Sequence, residues 1–172
     1  TDQIRKTVQE DGITEAVIVG GGFIGLEMAE NLQQRGIKVS LVEMQNQVMT
    51  PLDFEMALLV QKELIRNGID LYLGDGVTSF EDHGNSVNVT LASGKVLTTQ
   101  LVILSIGVRP NSQLAQAAGL EVNARGGIVV DETLRTSDPA IYAVGDVIEV
   151  EDFIDKSRTM IPLAGPANKQ GR

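Results

Sequence analysis

An α/β fold built on a parallel sheet is predicted by three features of this 172-residue chain. Short apolar runs alternate with stretches of helical period over residues 15–73, as strands and covering helices do. A glycine-rich turn, Gly20-Gly21-Gly22-Phe23-Ile24-Gly25, stands where the first of those runs gives way to the first long helical stretch. Composition agrees: 42% of residues are apolar, 18 are glycine and only 3% are aromatic, a profile unlike that of an all-β domain.

The elements follow in order. Ile4 to Glu10 predicts a short polar helix stopped by Asp11-Gly12. Residues 16–20 predict a buried strand, 23–35 a helix and 38–43 a second strand ending at Glu43. Thr50-Pro51-Leu52-Asp53 opens another helix, with Asp53 as N-cap and Met56, Leu59, Val60 and Leu64 on its apolar face. Asn67-Gly68 closes it, and residues 69–73 predict a third strand. This βαβαβ order is the mononucleotide-binding half of a Rossmann-like sheet. The period then changes. Residues 77–81, 86–91 and 95–99 read as an antiparallel β-meander joined by tight turns, and Leu101 to Leu104 as a returning central strand. Residues 126–131 and 140–144 predict two further short strands, and Pro162 onward a helix just beginning. That ending predicts a chain cut from something longer.

The chemistry starts at the glycine turn. Gly20, Gly22 and Gly25 form G-x-G-x-x-G: the first allows the sharp turn, the second lets backbone approach a pyrophosphate, the third lets helix pack on strand. The helix start then offers free N–H groups and a positive dipole end to phosphate. Glu43 lies about 20 residues further on, where a carboxylate accepts from an adenosine ribose 2′-OH. Met44 to Thr50 contain no Lys or Arg to neutralise a 2′-phosphate. Dinucleotide binding is the expectation, with NADH preferred over NADPH. Met44 and Met49 would line the adenosine edge or simply fill core.

Net charge is −9, which argues against nucleic acid and anionic membranes as partners. No run approaches the ~20 apolar residues of a membrane span. With no cysteine, the segment holds no disulfide, thiolate nucleophile or cysteine-ligated metal. No metal site is predicted, no carboxylate pair compels acid–base chemistry, and His83 reads as a solvated turn residue. Cytoplasm is the expected compartment.

Four motifs in order carry a resemblance over essentially the whole chain. They are the glycine turn continuing as Phe23-Ile24-Gly25-Leu26-Glu27-Met28-Ala29-Glu30; the acid Glu43; Gly107-Val108-Arg109-Pro110-Asn111; and Thr136-Ser137-Asp138-Pro139-Ala140-Ile141-Tyr142-Ala143-Val144-Gly145-Asp146. Together they resemble the FAD- and NAD-dependent pyridine nucleotide-disulfide oxidoreductases. Gly-Val-Arg-Pro-Asn and the ending from Pro162 to Arg172 look most like the single-cysteine branch: coenzyme A-disulfide reductases, persulfide reductases and NADH oxidases. The resemblance implies a Rossmann-like FAD/NAD(P)-binding fold whose parallel sheet has the meander as its crossover. Residues 1–125 would be the NAD-binding domain and 126–172 the returning segment of a truncated FAD-binding domain.

It also implies a function and roles. The intact enzyme would pass hydride from NADH through FAD to a cysteine-based site that reduces a disulfide or persulfide such as coenzyme A disulfide. It would be a homodimer through a C-terminal domain not in this chain, and the segment alone would be inactive, with no catalytic residue of its own. Phe23 would stand over the flavin, or pack as an ordinary first-turn apolar residue. Glu27 would position the nicotinamide and pair with a lysine of another domain, or simply answer the helix dipole. Ile24 supplies contact at the turn. Gly107 would leave room for the nicotinamide, or be a strand-end turn glycine. Asp146 would accept from the FAD ribityl chain with Leu163 and Ala164 at the flavin edge, or act as a turn former. Two other functions stay open: a stand-alone NAD-binding redox sensor, and the same domain from an NADH oxidase or ferredoxin reductase.

Overall fold

A computed structural model describes residues 2–10 and 12–172. The chain divides into two compact units, residues 1–107 and 108–172. In the second unit Ala115, Leu120 and Val122 pack with Ile128, Val130 and Ile148 in one small core.

In the first unit, α1 (Asp2–Glu10) precedes β1 (Glu15–Val19), α2 (Phe23–Gln33), β2 (Lys38–Glu43), α3 (Phe54–Arg66) and β3 (Asp70–Leu73). The antiparallel strands β4 (Val77–Asp82), β5 (Val87–Leu91) and β6 (Val96–Thr99) follow, and β7 (Leu101–Leu104) returns. The main sheet has the order β3-β2-β1-β7 with every pair parallel. Ile18 is level with Leu41 on one side and Ile103 on the other.

Strand alternation sorts the apolar residues into two layers. Ala16, Ile18, Val39, Leu41 and Ile103 face a core shared with Ala29 and Leu32 of α2 and Leu64 of α3, with Ile4 and Val8 of α1 against it. Val17, Val42 and Val102 point the other way, against Val89, Leu91 and Leu97 of the meander. The sheet is thus covered by helices on one face and by the meander on the other. That double coverage explains why its strands are nearly continuous apolar runs.

The helix ends follow local chemistry. At the C-terminus of α3, Gly68 N–H donates to Ile65 O at 3.0 Å and Ile69 N–H to Leu64 O at 3.1 Å, a Schellman pair with buried Leu64 and Ile69 in apolar register. Asp53 occupies the N-cap position, but its side chain makes no capping hydrogen bond. The apolar face expected on α3 is corrected. Met56 and Leu59 are 55% and 58% exposed, and the buried stripe is Ala57, Gln61 and Leu64 with Val60 half-buried. Small Ala57 is fully buried, so the inward face of the helix runs through it rather than through Met56. Asp11 of the first stop signal lies outside the described residues.

The second unit holds α4 (Gln113–Ala117), β8 (Ile128–Val129), β9 (Ile148–Glu151), β10 (Arg158–Thr159) and α5 (Ala164–Gln170). Its three strands form one small sheet, β10-β9-β8. No strand forms over 140–144; Tyr142 makes only an isolated bridge to Arg135, and Ile141 and Val144 are exposed. Among the described residues no helix is long and apolar enough to cross a membrane.

The turn after β8 is fastened by Asp131. Its Oδ1 accepts from Thr133 Oγ1 at 2.7 Å, Thr133 N–H at 2.8 Å and Arg135 N–H at 3.1 Å, while Arg135 Nε donates to Oδ2 at 3.1 Å. The Thr133 hydroxyl first, then the Arg135 backbone N–H, lower the carboxyl pKa from 3.8 to about 2. A depressed carboxyl pKa contributes stability above the unfolded value, lost as pH falls through the folded one. A carbon-detected NMR titration of Asp131 should therefore show a midpoint near pH 2, and Thr133→Val should move it upward. A wild-type midpoint at the usual aspartate value would show that the Thr133 contact does not persist in solution.

Candidate functional site

The glycine turn lies where the parallel sheet needs it. Strand order reverses about β1, with β2 on one side and β7 on the other, and open α/β sheets bind ligands beyond the carboxyl ends of the strands at such a point. Gly20 turns the chain at φ +109°, with its N–H on Val42 O at 2.8 Å. A Cβ on Gly20 would lie 2.4 Å from Ser105 O, and one on Gly25 only 1.9 Å from Gly20 O. Gly22 is the N-cap of α2 in an extended conformation and makes no side-chain cap. A Cβ there would meet nothing within 4 Å. Strand end and helix start are in backbone contact, while the space over Gly22 stays open.

Ser105, at the end of β7, ties this turn together. Its Oγ is 2.9 Å from Val19 O and 3.0 Å from Gly20 O, and its N–H donates to Val19 O at 2.8 Å. Glu43, at the end of β2, holds the other side: Oε2 accepts from Gly21 N–H at 2.7 Å and Oε1 from Gln45 N–H at 2.8 Å. Each carboxylate oxygen keeps an acceptor position for a ligand hydroxyl. Gly21 carries a further constraint, since its O accepts from Met49 N–H at 2.8 Å.

These groups open on a cleft of about 590 Å³ that Gly20, Gly22, Glu43, Met44, Phe80 and Gly107 help to line. Among its lining residues Glu43 alone is charged. The sequence-predicted Gly20, Gly22, Glu43 and Gly107 are thus brought together. Ile24 and Gly25 belong to the same turn, and Ile24 is exposed. Phe23 and Glu27 lie elsewhere: both line a cleft of about 530 Å³ between α2 and α3, with Glu30, Met49, Val60 and Glu63. Phe23 is 53% exposed. Sequence reasoning passed over Ser105, whose role rests on contacts that no local pattern signals. It also passed over Phe80, although an aromatic on a strand otherwise polar beyond Val77 was a usable sign.

In the second unit, Asp146 sits in a single 3-10 turn, Gly145–Val147. Gly145 N–H donates to Gln170 Oε1 at 2.8 Å, tying that turn to α5. Asp146 lines a cleft of about 910 Å³ together with Arg109, Asn111, Arg125, Met160 and Pro162. Leu163 is the N-cap of α5 and Ala164 its first residue; neither lines that cleft. Among the described residues no group of His, Cys, Asp and Glu could hold a metal ion.

Comparison with known proteins adds the following. The family model described as pyridine nucleotide-disulphide oxidoreductase matches residues 1–171. A protein named NADH oxidase from Methanocaldococcus jannaschii is 41% identical over 170 residues, 98% of this chain and 38% of that protein. The crystal structure of reduced Bacillus anthracis CoADR-RHD superposes with a TM-score of 0.93 at 51% identity, over 99% of this chain and 30% of that one. An NAD-dependent persulfide reductase from A. fulgidus gives 0.93 at 37% identity, over 99% and 32%. The chain therefore spans well under half the length of the relatives it matches.

Two substitutions separate packing from ligand space. Gly25→Ala should cost about 3 kcal/mol of folding stability, because backbone must move to admit the methyl. Gly22→Ala should change stability by no more than about 0.5 kcal/mol, yet weaken NADH binding at least ~10-fold by filling the space a pyrophosphate needs. Denaturant melts and calorimetric titration read the two effects. Unchanged NADH affinity in Gly22→Ala would place the pyrophosphate elsewhere.

Proposed function

The chain belongs to the pyridine nucleotide-disulphide oxidoreductase family, and we propose that it is the NADH-binding part of a flavin-dependent reductase of disulfides or persulfides such as coenzyme A disulfide. The observation that carries the NADH half is the cleft beyond β1 and β7, with open space over Gly22 and Glu43 fixed at its side. Backbone N–H groups at the start of α2 receive the pyrophosphate. Glu43 accepts from the adenosine ribose hydroxyls, and its charge repels a 2′-phosphate that no cation in the cleft neutralises. Gly107 leaves the nicotinamide end uncrowded; a Cβ there would meet nothing within 4 Å.

Residues 1–125 act as the NAD-binding domain and 126–172 as the returning segment of the FAD-binding domain. The second unit suits that role: Asp146 borders a cleft large enough for part of a flavin nucleotide. Asp146 would hold the ribityl chain, with Leu163 and Ala164 nearby in sequence at the flavin edge. FAD, when bound, supplies the two-electron chemistry that links NADH to a thiol-based site. Phe23 and Glu27 would serve the nicotinamide side once other parts of the enzyme are in place. The intact enzyme is a cytoplasmic homodimer in this reading.

The disulfide or persulfide assignment is supported by the two solved relatives and by their names. The M. jannaschii relative favours a second reading, with oxygen as the terminal acceptor. Full-length protein should oxidise NADH faster with coenzyme A disulfide or persulfide than with oxygen alone; the reverse order would select the oxidase.

Calorimetric titration of this chain should give tighter binding of NADH than of NADPH. Glu43→Ala should weaken NADH binding by about 1–3 kcal/mol, since it removes the acceptor and leaves the Gly21 and Gln45 N–H groups unpaired. Equal affinity of the wild type for both cofactors would sink the assignment of Glu43.

A further inference from the structure

The turn at the ligand site opens with three successive glycines, Gly20, Gly21 and Gly22, the residues least able to hold a backbone plane by themselves. One peptide among them is nonetheless held on both edges. The C=O of the Gly20–Gly21 peptide faces Ser105 Oγ at 3.0 Å, and its N–H donates to Glu43 Oε2 at 2.7 Å. A trans peptide is planar, so its C=O and N–H point in opposite directions and turn together. Ser105 at the end of β7 and Glu43 at the end of β2 are therefore joined through a single rigid plane, although 85 residues separate Ser105 from Gly20.

The two edges are held differently. Both oxygens beside Ser105 Oγ belong to carbonyls, so the hydroxyl acts as a donor. Val19 O also has the Ser105 N–H at 2.8 Å, so loss of the hydroxyl would fall mainly on the Gly20 carbonyl. A donor on that carbonyl polarises the peptide and strengthens its N–H toward the carboxylate. The 2.7 Å distance is that of a charge-assisted bond. Glu43 is half-buried, and its other oxygen, Oε1, accepts from Gln45 N–H at 2.8 Å, which fixes the carboxylate at both ends. A group that must tell a ribose 2′-OH from a 2′-phosphate discriminates only where it is held in place.

We propose that Ser105 is a positioning residue for Glu43 and, through it, for the preference for NADH over NADPH. The inference rests on the NADH reading given above. It gives β7 a part in a choice exercised at the end of β2. Without the hydroxyl, the glycine peptide tips about its flanking bonds, the Gly21 N–H leaves Oε2, and the carboxylate swings. A swinging carboxylate accepts less well from a 2′-OH and can move away from a 2′-phosphate.

Calorimetric titration of NADH and NADPH into wild type, Ser105→Ala, Glu43→Ala and the double variant closes a cycle that isolates this coupling. Ser105→Ala should lose about tenfold in NADH affinity, the worth of one hydrogen bond to a charged group. Its NADPH affinity should fall less than about threefold. In the Glu43→Ala background, Ser105→Ala should change NADH affinity by less than about threefold, because nothing is left to position. The Gly21 amide proton, followed by NMR in the unliganded chain, should move upfield in Ser105→Ala as its bond to Glu43 loosens. Where circular dichroism shows Ser105→Ala unfolded, Ser105→Cys, a weaker donor of similar shape, takes its place in the cycle. An equal loss for both cofactors, undiminished when Glu43 is absent, would make Ser105 a brace for the turn alone and overturn the proposal. A Gly21 resonance unmoved in Ser105→Ala would overturn it as well. A wild type that binds neither cofactor, or both equally, would overturn the NADH reading itself, while the Gly21 resonance would still report the contact.

Discussion

The first unit depends on how closely one piece of backbone approaches another. Helix α2 can start directly after β1 only because Gly25 passes Gly20 O with no side chain between them. Three consequences follow. The N-terminus of α2 points into the crevice at the strand ends. Ser105 can reach across from β7 to the carbonyls of Val19 and Gly20. Glu43 can reach from β2 to Gly21 N–H. Three neighbouring strands thus converge on the backbone of one turn, two of them through the side chains of Ser105 and Glu43.

Much of this was legible in the sequence because its causes are local. A G-x-G-x-x-G after an apolar run states the strand, the turn and the helix together, and the acid about 20 residues later follows from the length of one βαβ unit. The meander was legible through its turns. Other features depended on distant residues. The buried stripe of α3 runs through Ala57, Gln61 and Leu64, so apolar Met56 and Leu59 misled where a small residue is the buried one. Glu43 was legible as an acid in place, but its hydrogen bonds to Gly21 and Gln45 were not. Phe23 and Glu27, neighbours of the turn in sequence, border the groove between α2 and α3, because a helix rotates about 100° per residue away from its first contact.

The second unit gives a related lesson. Its apolar residues Ile128, Val130 and Ile148 find partners in one small core with Ala115, so ordering these short strands does not require a large sheet. Strands β9 and β10, of four and two residues, carry too little periodicity of their own and went unread, as did the five-residue helix α4. Arg158 illustrates how such short pieces are held: it donates to Glu149 Oε1 at 3.0 Å and to Val130 O at 3.2 Å, joining all three strand segments by one guanidinium.

One property of the cleft reaches beyond its shape. Its lining carries a single charge, and that charge is negative, in a chain of net charge −9. Nucleotide sites built on lysine and arginine attract their ligand from a distance and lose affinity as salt is added. Here an anionic dinucleotide approaches against the field, and its attraction comes from backbone N–H groups that act only at contact. Rising ionic strength screens that repulsion, so it should speed capture by this chain rather than slow it.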